Sequence, residues 1–189
     1  LDGMNDPANP TVAVNATANA TFRRCNIYGM GSAAPRIGTA NLFEDNYFHD
    51  YNQLPGEHLA GTSTNAGETG VVIRHNTIKI AASGASSTLA FYRDFGNPSN
   101  ILVLQNNLHG GNYTIMTGVR DSGGTYPAIN DMRFHGNTIG REYYADGGLL
   151  GPVAQFSYAN GSGNLWSGNT WGGGAAATGA HATGSLVIP

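Results

Sequence analysis

The sequence predicts an all-β protein, a right-handed parallel β-helix (a solenoid) of about six coils with an inward-facing asparagine ladder. Two observations support this fold. Glycine accounts for 28 of 189 residues, only 11% of residues are charged and Lys79 is the only lysine, so strong helix formers are scarce on any surface. Short segments with an asparagine at a fixed place also recur along the chain, and they lack the 3.6-residue apolar stripe of an amphipathic helix.

The repeated segments are LFEDNYF, VIRHNTI, VLQNNLH, RFHGNTI and LWSGNTW, and FRRCNI is an earlier, weaker copy. One frame aligns an apolar position, occupied by Phe22, Phe43, Ile73, Leu104, Phe134 and Trp166. Three residues later it aligns the ladder position, occupied by Cys25, Asn46, Asn76, Asn107, Asn137 and Asn169. Subtracting successive ladder positions gives spacings of 21, 30, 31, 30 and 32 residues, a range that indicates a solenoid. We expect each asparagine to turn inward at a corner, where its amide can bond the backbone and its stacked neighbours.

The same frame assigns the residues around the ladder. Two residues after it stand Ile27, Phe48, Ile78, His109, Ile139 and Trp171, which suits an inward position in every coil except that of His109. The two outward positions before it hold Arg23, Glu44, Arg74, Gln105, His135 and Ser167, and then Arg24, Asp45, His75, Asn106, Gly136 and Gly168. Since neighbouring coils lie ~4.8 Å apart, Arg23, Glu44 and Arg74 should form a column of alternating charge. Such a column is either a binding face or a weakly stabilising surface.

The chain length predicts one domain. We assign residues 1–171 to the β-helix and residues 172–189, which are rich in glycine and alanine, to a segment that caps it. The formal charge of −3 and the absence of a Lys/Arg run give no basis for binding nucleic acid or a membrane. One cysteine excludes an internal disulfide, and no Cys/His spacing or acidic cluster predicts a metal or another cofactor.

Four segments carry a family resemblance: VVIRHNTI, RDFGNPSNILVLQNNLHGGNYTI, MRFHGNTIGREYYADGGLLGPVAQF and GNLWSGNTW. They resemble the right-handed parallel β-helix repeat proteins of the pectate-lyase-like superfamily, in particular a group found in secreted, multidomain bacterial proteins. With the weaker segment TVAVNATANATFRRCNIYG, the resemblance covers nearly the whole chain. It implies a secreted monomer that belongs to a longer chain and binds a polysaccharide. Many relatives carry an H-x-D-G-like motif where this sequence has His58-Leu59-Ala60-Gly61, so alanine stands in place of the carboxylate.

The resemblance favours a polysaccharide-binding module of a secreted carbohydrate-active protein. Two alternatives remain open: a polysaccharide-degrading enzyme, either a calcium-independent lyase or a glycoside hydrolase, and a structural or adhesive solenoid. An enzyme would need an acid or base beside the glycosidic bond or the sugar C5 proton. The candidates for that role are His58, Asp94, Asp121 and Glu142.

The site is expected on the face formed by the longer loops, since variable loops on a uniform solenoid are where function concentrates. Candidate carbohydrate-binding residues are Tyr92, Arg93, Asp94, Arg120, Asp121, Tyr143 and Tyr144. Tyr51 and Tyr126 are further candidates for stacking on a sugar, whereas Trp166 and Trp171 fall on inward positions. An alternative for each Arg-Asp pair is a turn in which the aspartate bonds its own backbone.

Overall fold

The structure is a computed structural model that describes residues 15–32, 35–117, 129–154 and 161–172, and the backbone of 179–180 and 187–188. The described part contains β-strands and turns and no helix. The first nine strands are β1 Thr21–Arg23, β2 Asn26–Tyr28, β3 Leu42–Glu44, β4 Tyr47–His49, β5 Ala60–Thr64, β6 Thr69–Arg74, β7 Thr77–Ile80, β8 Ser87–Phe91 and β9 Ser99–Leu104. The remaining strands are β10 Asn107–Gly110, β11 Tyr113–Thr117, β12 Met132–His135, β13 Thr138–Gly140, β14 Gly151–Ala154, β15 Leu165–Ser167, β16 Thr170–Trp171, β17 Gly179–Ala180 and β18 Val187–Ile188.

Sixteen of these strands form three parallel sheets, as expected for a parallel β-helix. Sheet A contains β1, β3, β6, β9, β12 and β15, sheet B contains β2, β4, β7, β10, β13 and β16, and sheet C contains β5, β8, β11 and β14. The chain passes through A, B and C in turn, and each strand pairs in parallel with the equivalent strand of the next coil. Single bridges from Asn15 to Arg36 and from Arg36 to Ser63 extend sheet C to the first coils. The predicted fold is confirmed, but there are about four complete turns, since only four of the six coils contribute a strand to sheet C.

The asparagine ladder lies at the corner between sheets A and B. Its Oδ1 atoms accept hydrogen bonds from the backbone N–H of the ladder residue in the preceding coil at 2.9–3.0 Å, beginning with Cys25. Where that residue is an asparagine, its Nδ2 donates to the same oxygen at 2.8–3.0 Å. Each Nδ2 also donates to a backbone carbonyl of the preceding coil at 2.8–3.0 Å. Asn46, Asn76, Asn106 and Asn137 therefore each connect three coils, and Asn169 connects the last two. All five side chains are buried.

The ladder residue predicted for the fourth coil is wrong by one position. Val103, and not Leu104, pairs with Ile73 and Phe134 in sheet A, so Asn106 occupies the ladder. Asn107 instead starts β10 on the outer face, in register with Thr77 and Thr138. The shift also corrects the inward residue of β10, which is Leu108 and not His109, and the two outward positions become Leu104 and Gln105. Alternation could not define the register, because residues 101–104 are all apolar.

The corners require a left-handed backbone conformation. The residue before the ladder position has φ between 51° and 63° in every coil: Arg24, Asp45, His75, Gln105, Gly136 and Gly168. A second column with φ between 49° and 75° precedes sheet A: Asn19, Ala40, Gly70, Asn100, Asp131 and Gly163. This conformation is unfavourable for most side chains. It is compensated in the first column by hydrogen bonds of 3.0–3.3 Å from the corner N–H to a carbonyl of the next coil.

The core lies inside the coils and consists of apolar side chains from all three sheets. Sheet A contributes Phe43, Ile73, Val103, Phe134 and Trp166, sheet B contributes Ile27, Phe48, Ile78, Leu108 and Ile139, and sheet C contributes Leu89, Ile115 and Val153. Aromatic rings stack from coil to coil, with centroids 4.9 Å apart for Phe22 and Phe43. Trp166 is buried as predicted, whereas Trp171 is only half-buried at the last coil.

The predicted column of alternating charge, Arg23, Glu44 and Arg74, is confirmed. The Glu44 carboxylate lies between Arg23 and Arg74, and Arg74 Nε donates to it at 2.7 Å. Glu44 itself is only 5% exposed. Hydrogen bonding from Arg23, followed by that from Arg74 and the charges of both guanidinium groups, lowers the pKa of Glu44, although burial opposes this shift. The column therefore ties three coils together at one charged centre.

The C-terminal segment is described only in part. β17 and β18 form an antiparallel pair in which Gly179 faces Ile188 and Ala180 faces Val187. The proposed division at residue 171 and the capping role of residues 172–189 otherwise lie outside the described residues.

Replacing Asn106 with leucine should lower the free energy of unfolding by at least about 2 kcal/mol. The Asn76 donors and the Ile73 carbonyl lose their partner in this variant, and each buried unpaired group costs about 1–3 kcal/mol. Asn107→Leu is the matched control and should change it by less than about 1 kcal/mol. Urea unfolding followed by circular dichroism measures both. Equal losses for the two variants would contradict the assigned register.

Glu44 should make the stability of the protein depend on acid pH. Since its folded-state pKa is lowered, its contribution is present above the unfolded value of about 4.3 and is lost as the pH falls through the folded value. Glu44→Gln should therefore be less stable than wild type at pH 7, and the difference should shrink towards pH 3. Thermal unfolding between pH 3 and pH 7 tests this, with Glu57→Gln as a control in the loop after β4. A constant difference across this range would contradict the assignment.

Candidate functional site

A groove of about 460 Å³ lies along sheet C. Its lining comes from four coils and consists of Arg36, His58, Ser63, Asn65, Ser86, Tyr92, Asp94 and Met116. These residues lie on or beside strands β5, β8 and β11, except for Arg36, which occupies the bridge position one coil earlier. The groove therefore crosses the coils, along the direction in which a solenoid presents an extended surface.

The base of the groove is a column of residues in strand register. Arg36 pairs with Ser63, Ser63 with Ala90 and Ala90 with Met116. Ala90 is fully buried because Met116 and the Tyr92 ring pack over it. Alanine keeps this position low while the larger neighbours form the walls, so the shape follows from one small residue in the column.

The loops at the end of sheet C set the position of Asn65 and Tyr92. The Glu68 carboxylate accepts hydrogen bonds from the backbone N–H groups of Asn65 and Ala66 at 3.0–3.2 Å. The Thr64 hydroxyl donates to the Tyr92 carbonyl at 3.1 Å. Each groove residue at this end therefore has a fixed backbone, which reduces the ordering needed to bind a ligand.

Three buried polar atoms of the groove residues have no hydrogen-bond partner among the residues that the structure describes: Arg36 Nε, Asn65 Oδ1 and the Tyr92 hydroxyl. Buried donors and acceptors are normally paired with protein, water or a ligand. Arg36 Nε donates, Asn65 Oδ1 accepts and the phenol can do either, which suits hydroxyl groups.

The Tyr92 side chain contributes both a ring and a hydroxyl. Burial raises the pKa of Tyr92. The phenol therefore stays protonated and can donate a hydrogen bond. Its ring remains half-buried at the wall of the groove.

The groove brings together three of the predicted site residues, His58, Tyr92 and Asp94. His58 and Asp94 are exposed there. Arg93 is not on this surface, since it is only 1% exposed. Tyr51 is buried as well, and its hydroxyl donates to the Gly61 carbonyl at 2.7 Å. Neither Arg93 nor Tyr51 is therefore available to a ligand in the groove.

The assignment of Arg120, Asp121 and Tyr126 to the site remains a prediction. Arg120, Asp121 and Tyr126 lie in residues 118–128, outside the described part of the chain.

The predicted candidates Glu142 and Tyr143 lie elsewhere, on the outer face of sheet B. The Glu142 carboxylate lies 2.6 Å from Lys79 Nζ and 3.5 Å from His109 Nδ1. Hydrogen bonding from Lys79 lowers the pKa of Glu142. Tyr143 is exposed, whereas the adjacent Tyr144 is half-buried. None of these three residues lines the groove, so the structure does not bring Glu142 together with His58 and Asp94.

Several groove residues were missed by the sequence analysis, above all Arg36, Ser63, Asn65 and Met116. Arg36 lies 27 positions before Ser63 and 54 before Ala90, intervals that the ladder repeat does not reveal because the loops before sheet C differ in length. The positions that pair along sheet C, Arg36, Ser63, Ala90 and Met116, have no residue type in common that would align them as asparagine aligns the ladder.

Among the described residues, no group of three His, Cys, Asp or Glu side chains could hold a metal ion. No helix in the same part of the chain is long and apolar enough to cross a membrane. No family model, no curated protein and no solved structure matches the chain.

Proposed function

We propose that this chain is a polysaccharide-binding module of a secreted carbohydrate-active protein, and that the groove on sheet C is its binding site. The observation that carries the proposal is that one groove combines the Tyr92 ring with Arg36 Nε and Asn65 Oδ1, which have no partner in the part of the chain that the structure describes. Sugars present hydroxyl groups that both donate and accept, beside C–H faces that pack on aromatic rings.

The shape of the groove supports a chain-like ligand. Its lining residues come from successive coils, so a polymer can lie along the solenoid axis and contact one coil after another. Arg36 would bond a hydroxyl or carboxylate, Asp94 would accept from hydroxyls, and Tyr92 with Met116 would supply the apolar contact. This binding needs no catalytic pair.

A second candidate function is a calcium-independent polysaccharide lyase. It is favoured by the presence of His58 and Arg36 in the same groove. A lyase needs a base for the C5 proton and a cation that neutralises the uronate carboxylate, and these two side chains would supply them. A two-carboxylate glycosidase has less support, since Asp94 is the only carboxylate among the described residues of the lining.

Tyr92→Ala should weaken polysaccharide binding about fivefold, the effect of losing one aromatic contact of about 1 kcal/mol. The measurement is affinity electrophoresis in gels that contain a panel of neutral and uronate-containing polysaccharides. Tyr144→Ala is the matched control, since Tyr144 is also half-buried and lies outside the groove. Unchanged retention of Tyr92→Ala, with the fold intact by circular dichroism, would place the site elsewhere.

The same panel decides between binding and catalysis. A lyase should generate unsaturated products that absorb in the ultraviolet, and His58→Gln should reduce their rate at least about 100-fold. A binding module should be retained on the gels without forming such products or new reducing ends. An adhesive or structural solenoid should do neither.

A further inference from the structure

A second surface lies on the outer face of sheet B. We call it the tyrosine surface and define it by Tyr28, Tyr47, His49, Lys79 and Tyr143. The rings of Tyr47 and His49 stack with centroids 4.0 Å apart and planes 18° apart, and Tyr28 continues the stack at 5.5 Å from His49. Tyr47 is 40% exposed and Tyr143 is 36% exposed. Tyr47 is in register with Thr77, which lies two residues before Lys79 on the same face of sheet B.

The loop that carries Tyr143 is fastened to sheet B. Glu142 bonds Lys79 at 2.6 Å, and the Tyr143 ring packs over Gly110, where an added Cβ would lie 3.0 Å from its Cδ2. His49 is held in turn by Asp50 at 2.6 Å and by Asn26 at 2.8 Å. The rings therefore have fixed positions before any ligand arrives.

The tyrosine surface spans coils one to four. Tyr28 lies on β2, Tyr47 and His49 on β4 and Lys79 on β7, and Tyr143 packs over Gly110 on β10. At ~4.8 Å per coil this makes a strip of about 14 Å. Polar side chains border the strip along one register column: Asn26, Thr77 and Asn107.

Charged groups of both signs lie on or beside the tyrosine surface. Lys79 pairs with Glu142, and the His49 ring hydrogen-bonds the Asp50 carboxylate, whose side chain is 82% exposed. An anionic ligand would meet Glu142 and Asp50, and a cationic ligand would meet Lys79. Exposed rings bordered by amides and hydroxyls, with charged groups that oppose ligands of either sign, favour an uncharged ligand with C–H faces and hydroxyl groups.

We infer that the tyrosine surface is a second binding site, distinct from the groove on sheet C, and that it takes a neutral hexopyranose chain. The inference rests on the proposed function, since it adds a site for the same class of ligand on another sheet. The Tyr47 and Tyr143 rings stack on the sugars, while Asn26, Thr77 and Asn107 bond their hydroxyls. A chain with two such faces can hold two polysaccharide strands at once.

The test is affinity electrophoresis of the full chain in gels that contain glucomannan, mixed-linkage β-glucan or polygalacturonate. The double variant Tyr47→Ala and Tyr143→Ala should weaken binding to a neutral glucan or mannan at least about tenfold, since two ring contacts are lost. The double variant with phenylalanine at both positions should keep binding within about threefold, because the rings remain. Phe95→Ala is the control for a highly exposed ring elsewhere, and Tyr92→Ala reports on the groove.

A loss of neutral-polysaccharide binding in the alanine double variant that exceeds the loss in Tyr92→Ala supports the inference. Wild-type retention by that double variant overturns it, and loss in Tyr92→Ala alone then leaves the proposed function standing. Equal loss in Phe95→Ala overturns the inference too, since it shows non-specific contact. Absence of retention on every gel overturns both proposals.

Discussion

The buried amide hydrogen bonds of the asparagine ladder are the interaction on which the rest of this structure depends. A backbone that turns a corner leaves N–H and C=O groups that sheet pairing cannot satisfy, and burying them unpaired is costly. An asparagine offers one acceptor and two donors in one plane, so it serves the coil before and the coil after at the same time. No other side chain of this size could do both. The ladder therefore fixes the registration of the coils, and the left-handed corners and sheet pairs follow from it.

A core of this kind confines function to the outside. The interior is filled by buried side chains such as Phe43, Phe48 and Phe134. Only the outer faces of the three sheets are therefore left for ligand binding. The faces differ in chemistry. Sheet A presents the Arg23–Glu44–Arg74 column beside aliphatic residues such as Leu102, sheet B presents tyrosines and paired charges, and sheet C presents a groove. The same scaffold thus separates a stabilising face from two faces that suit ligands.

The two proposed sites differ in how their polar groups are satisfied. In the groove, Arg36 and Asn65 retain hydrogen-bonding capacity that the described residues do not meet, so binding can supply partners for groups already removed from water. On the tyrosine surface, Lys79, Glu142, His49 and Asp50 satisfy one another, and contact with a ligand falls to the rings and to neutral amides. Burial, and then the charge of Lys79, lower the pKa of His109, which keeps that imidazole neutral. This contrast is why the groove suits a polar or acidic sugar and the tyrosine surface a neutral one.

Sequence alone determined the architecture, because the ladder asparagines recur at near-constant spacing and nothing but a stacked coil uses a buried amide in that way. It also located His58, Tyr92 and Asp94 on one face, since all three lie in loops that depart from the minimal coil. It failed where adjacent residues have the same character: Val103 and Leu104 are both apolar, and Asn106 and Asn107 are identical. Only strand pairing, which is set by hydrogen bonds between residues 30 or more positions apart, decides which member faces inward. Tertiary structure likewise decided three features of the sites: the grouping of Arg36 with Tyr92, the burial of Arg93 and the separation of Tyr143 from the groove. The loops between sheets are irregular in length, and a shift of one residue moves a side chain to the opposite face of a strand. Sequence spacing therefore could not predict these features.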